Sequence, residues 1–142
     1  MRYLVEAFVV GALRRGRSVE QFLGPVGSPG RPGVRYVEVR AASTSFEVYV
    51  HTVEDGHETV LDLYEFPPFD QDTEEEEFGR LLGSAEAPQG ALVLAEERTG
   101  AVRGRWVNQG VVQDEYHDFV RAGRPSGASP DGHAWPALHV DL

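Results

Sequence analysis

The sequence predicts an α+β fold: a small antiparallel β-meander of three to four strands flanked by helices. Three observations carry that prediction. Phe46, Val48 and Val50 alternate with Glu47, Tyr49 and His51, and Val37 and Val39 alternate with Glu38 and Arg40, the period of half-buried strands. Asp55-Gly56 stands between the second and third candidate strands, a strong two-residue hairpin signal. On either side of this block the apolar spacing turns helical.

Taken in order, residues 4–13 are apolar on nearly every side, and Arg14-Arg15 followed by Gly16 reads as a cationic last turn with a glycine stop. A largely buried helix is expected there. Ser18-Val19-Glu20-Gln21 has the form of a capping box and predicts a short helix through Leu23, ended by Gly24-Pro25. Residues 24–33 hold four Gly and three Pro in ten positions, which predicts a loop.

Strands are then expected over residues 34–40, 46–53 and 57–65. Phe66-Pro67-Pro68-Phe69 breaks the pattern. Thr73-Glu74-Glu75-Glu76 is a second capping box, and Phe78, Leu81 and Leu82 follow at helical spacing before Gly83. Pro88 suits the first turn of a helix over 89–99 that Gly100 closes. Val112, Tyr116, Phe119 and Val120 form an i, i+4, i+7, i+8 stripe on the last helix. Residues 1–123 therefore read as a single globular domain, and residues 124–142 as a Pro/Gly/Ser-rich tail that could dock back through Trp135.

Composition narrows the function. At 142 residues with 41% hydrophobic and 25% charged side chains, the chain suits one core-bearing globular domain. All thirteen basic residues are Arg, which fits coding by a GC-rich genome such as a bacterial one. Cysteine is absent, so disulfides, thiolate metal sites and cysteine nucleophiles are excluded. The N-terminal apolar run is about half the roughly 20 residues a membrane span needs, contains Glu6 and is followed by arginines rather than a cleavage site. A cytoplasmic location is expected.

The net charge of −10 is unevenly placed. Residues 41–79 carry twelve acids and no Lys or Arg, whereas residues 1–40 carry seven Arg against three acids. Such a field steers basic partners and repels nucleic acid and anionic membranes. Candidate partner-binding residues are Glu54, Asp55 and Glu58 on the hairpin and Asp70, Asp72, Glu74, Glu75, Glu76 and Glu77 in the run after it. Acids in a helix's first turn also serve the macrodipole, but an uninterrupted single-sign block is unlike a merely solubilising surface. Trp106 beside Arg105 is a candidate hot spot if it is exposed.

Motifs for chemistry are missing. There is no G-x-S-x-G, P-loop or H-E-x-x-H, and the five histidines lack the spacing of a catalytic zinc site. No cofactor is expected. His51 and His57 flank the Asp55-Gly56 turn, and with Asp62 and Glu65 they define the competing reading, a metal or small-ligand site. Asp114 to Asp118 reads as a solvated helix face on which Asp118 meets Arg121.

Small size, strong acidity, no cysteine, a β-meander with flanking helices and no catalytic signature together resemble the immunity proteins of bacterial polymorphic-toxin systems. The likeness is one of overall character, and no family residue is carried over by position. It implies a non-enzymatic inhibitor that binds a cognate toxin domain and covers its active site. The acidic block then faces a basic cleft. A homo-oligomeric module, pairing through a strand edge or the N-terminal helix, is the remaining alternative.

Overall fold

In the computed structural model, residues 2–28, 30–55, 62–69 and 79–125 are described. They form an α+β fold. Helix α1 (Glu6–Arg14) precedes strands β1 (Val19–Ser28), β2 (Arg31–Ala41) and β3 (Phe46–Glu54). Strand β4 (Arg80–Ala85), helix α2 (Pro88–Thr99), the short strand β5 (Val107–Asn108) and helix α3 (Val112–Arg121) follow. The sheet is antiparallel in the order β4-β3-β2-β1-β5, so the first four strands are a meander and β5 adds to the β1 edge.

Both faces of the sheet are covered, and this decides where the strands lie. Val19, Leu23, Val37, Val39, Val48 and Val50 meet α1 and α2 on one face. Phe22, Val34, Tyr36 and Val53 meet Leu63 and the α3 stripe of Val112, Tyr116 and Phe119 on the other. That stripe, the α2 span and its left-handed Gly100 cap all match the sequence pattern. Helix α1 forms as expected but is only half buried. Val9, Ala12 and Leu13 face the core, while Val5 and Phe8 are 58% and 66% exposed.

Four expectations fail for physical reasons. The helix expected over residues 18–23 is the start of β1, where Val19 to Gly24 are all buried. A strand covered on both faces shows no polar alternation. Its polar members are satisfied from afar: Gln21 accepts from Val102 N–H (2.7 Å) and donates to Val102 C=O (2.9 Å). The loop expected over 24–33 is the rest of β1 and the start of β2, with Ser28 opposite Arg31. A register shift between Phe22 and Gly24 admits the positive φ of Gly24, 103°. Pro25 is tolerated because β5 pairs only with Val19 and Glu20, which leaves this part of β1 at a sheet edge.

The third strand is also displaced. Of the predicted 57–65 stretch, the described part, Leu63–Glu65, is a 3-10 turn capped by the Asp62 side chain. The turn residue Gly56 and the whole of the second capping box lie outside the described residues. Leu81 and Leu82 sit on strand β4 rather than on a helix. Gly83, read as a helix stop, is a close-approach position, since a Cβ there would lie 2.8 Å from Leu94 Cδ2. No described helix is long and apolar enough to cross a membrane. Trp135 and residues 126–142 lie outside the described residues.

Candidate functional site

The α3-side face of the sheet changes character along the strands. Towards the β1–β2 turn it is apolar. Towards the other end, Glu20 on β1, Tyr36, Glu38 and Arg40 on β2, and Glu47, Tyr49 and His51 on β3 share it. The register sets Glu20 opposite Glu38, Glu38 opposite Tyr49, Tyr36 opposite His51 and Arg40 opposite Glu47. Glu38 is held by His51 Nε2 at 2.9 Å and by Arg40 Nε at 3.0 Å. The Tyr36 and His51 rings stack at 4.4 Å, and the Arg40 guanidinium lies 3.8 Å above the Tyr49 ring. Glu20 accepts from Tyr64 Oη and from Gly110 N–H, and Tyr64 packs edge-on against Tyr36.

The two facing carboxyls are driven in opposite directions. Burial pushes Glu20 above the usual carboxylate range, against the opposing pull of Tyr64 and Gly110. Burial acts upward on Glu38 too, but the His51 and Arg40 hydrogen bonds outweigh it and bring the group down to about 2. Burial and the neighbouring Glu20 raise both Tyr36 and Tyr64. Such a divergent pair is the usual ground for assigning an acid and a base. Here Glu20 is 1% exposed beneath Tyr64, and Glu38 is enclosed by His51 and Arg40. What the cluster presents outward is Arg40 on Tyr49, flanked by Leu81, which stands opposite Tyr49 on β4 and is 52% exposed.

Of the acids singled out in the sequence, Glu54 ends β3, part-exposed and 3.8 Å from Arg31. Asp55 is a correction. It is buried, accepting from Tyr116 Oη and Arg124 Nε at 2.6 Å each, and is unavailable to a partner. Trp106 is a second correction: it is wholly buried in the core beneath α1 and α2, and Arg105 beside it is buried against Glu115 and Tyr3. Glu58, Asp70, Asp72, Glu74, Glu75, Glu76 and Glu77 lie outside the described residues. The residues on either side of this acidic stretch, Phe69 and Gly79, are described. Phe69 N–H donates to Thr52 C=O at 2.9 Å, and Gly79 packs on the His51 ring, where a Cβ would come within 2.6 Å. Both contacts fall on adjacent residues of β3, beside the cluster.

The competing constellation does not assemble among the described residues. His51 belongs to Glu38; Asp62 accepts from Tyr64 N–H at 3.0 Å and from Gln113 Nε2 at 2.6 Å; His57 lies outside the described residues. No three metal-ligating side chains converge among the described residues. Sequence reasoning missed Glu20, Tyr36, Glu38, Arg40 and Tyr64 as a group. The signal was present in the shared parity of Tyr36-Glu38-Arg40 and Glu47-Tyr49-His51 on adjacent strands, which places all six on one face.

No family of known proteins, no curated protein and no solved structure matches the chain.

Proposed function

We propose that this protein is a non-enzymatic inhibitor of a basic protein partner, an immunity protein that neutralises a cognate bacterial toxin domain from the cytoplasm. One observation carries the reading: twelve acids and no Lys or Arg fall within residues 41–79, while all thirteen arginines lie elsewhere. A field segregated in this way accelerates encounter with a cationic surface and fixes its orientation. The contacts of Phe69 and Gly79 with β3 support it, because these two residues flank the acidic run in sequence. Arg40 and Tyr49 lie alongside, side chains of the kind that anchor protein interfaces, with Leu81 beside them.

The test has two stages. At low salt the protein should retain from its own lysate a basic protein with a toxin-like C-terminal domain, and release it as salt rises. Against that purified partner, converting Glu74, Glu75, Glu76 and Glu77 to Arg should slow association about tenfold or more and flatten its salt dependence. Unchanged association would overturn the assignment of the acidic run. No partner, in a lysate where the toxin is shown to be expressed, would overturn the inhibitor reading itself.

A further inference from the structure

At the β1–β5 edge, the opposite end of the sheet from β4, a cleft of about 390 Å³ is lined by Gly16, Arg17, Ser18, Asn108 and Gln109. Its walls are two short segments joined by the Gln109 N–H to Ser18 C=O hydrogen bond, just beyond the Val19–Asn108 pair that ends the sheet. The turn that closes α1 sets the angle: Gly16 takes φ 81° and Arg17 N–H donates to Ala12 C=O at 3.0 Å.

The chemistry of this cleft departs from that of the chain. The protein carries 23 acids to 13 arginines, yet no acid lines the cleft. Arg17 is exposed at the cleft and forms no ion pair with a described residue, whereas Arg2, Arg103 and Arg124 are each held by carboxylates. Arg17, Ser18, Asn108 and Gln109 line the space, and each carries a side-chain group able to donate. A lining of donors that includes one guanidinium and no acid suits an anion, and a phosphate, with more oxygens and up to two charges, engages it more fully than a carboxylate does. The volume also leaves room for more than the anion.

We propose that the cleft between residues 16–18 and 108–109 binds the phosphate group of a small phosphomonoester, with Arg17 as the charge partner and Ser18, Asn108 and Gln109 as the orienting donors. The site is independent of the acidic surface. It is tested by following backbone amide signals of the full chain during titration with inorganic phosphate, a sugar phosphate and acetate. Phosphate and the sugar phosphate should saturate, with shifts centred on residues 16–18 and 108–109. Arg17→Gln should weaken binding about tenfold, while Arg98→Gln, an exposed arginine on α2, should leave it unchanged. Arg17→Gln and Asn108→Ala should both melt like the parent, since neither side chain is buried. Acetate binding equally well, shifts spread over all arginines, or an unaltered Arg17→Gln affinity would each overturn the proposal.

Discussion

Glu20 and Glu38 face each other on adjacent strands and answer to pH with opposite signs. Glu38 titrates in the folded protein at about 2, below the roughly 4.3 of an unfolded chain, so its contribution is complete above the unfolded value. It is lost as pH falls from about 4.3 towards 2. Glu38→Gln should cost on the order of 2 kcal/mol at pH 7, because His51 and Arg40 lose their anion. Urea melts at pH 7 and pH 2.5 check it: the gap from wild type should narrow at the lower pH. Glu20 runs the other way. Its folded value is raised, so its stabilising contribution is full below the unfolded value and disappears as pH rises through the folded one. Glu20→Gln keeps an acceptor for Tyr64 and Gly110 and removes the buried charge. It should be more stable than wild type at pH 8, on the order of 1 kcal/mol, and the gain should vanish near pH 4. A loss of stability at pH 8 would show that the carboxylate itself holds Tyr64 in place.

Among the elements, β4 shows most clearly how glycine was misread. Gly83 reads as a helix stop in the sequence and Gly79 falls within the same expected helix, yet each is a place where another side chain reaches the backbone. Gly79 combines φ 93° with the His51 ring beneath it, so Gly79→Ala meets strain and overlap together and should cost about 2 kcal/mol or more. Gly83→Ala meets only the end of Leu94, a side chain able to shift, and should cost less. Gly104→Ala, with open space around it, is the control. Thermal melts of the three should rank in that order. Elements whose pattern is local were legible: α2 with its Pro88 start and Gly100 stop, α3 with its stripe, and β2 and β3 by alternation. Strand β1 was not, because Gln21 and Glu20 are satisfied by Val102, Tyr64 and Gly110, partners more than forty residues away in sequence. The candidate site was legible only in part. His51 was noticed for its imidazole, but Glu38 and Arg40 passed for a solvent-facing row until β3 was laid beside β2.

Across the molecule, both ends of the described body are tied to α3 and its surroundings by charge. Arg2 reaches Glu115 at 2.7 Å and Asp118 at 2.6 Å, and Tyr3 donates to the same Glu115. At the other end Arg124 holds Asp55 through Nε at 2.6 Å, with φ 54° following the positive φ of Gly123. The tail drawn from composition begins at 124, but Arg124 belongs to the body, because Asp55 is buried and a buried carboxylate deprived of its cation is costly. Truncation therefore locates the functional end of the domain. A chain ending at Pro125 keeps the Arg124–Asp55 pair and should retain most of the parent's stability. One ending at Gly123 leaves Asp55 with Tyr116 as its remaining named donor and should lose about 3 kcal/mol. Asp55→Asn placed in the shorter chain separates charge from chain length. Removing the carboxylate's charge while keeping an acceptor for Tyr116 should recover part of the loss. If both truncations melt alike, the pair contributes nothing net, and the boundary at 123 stands.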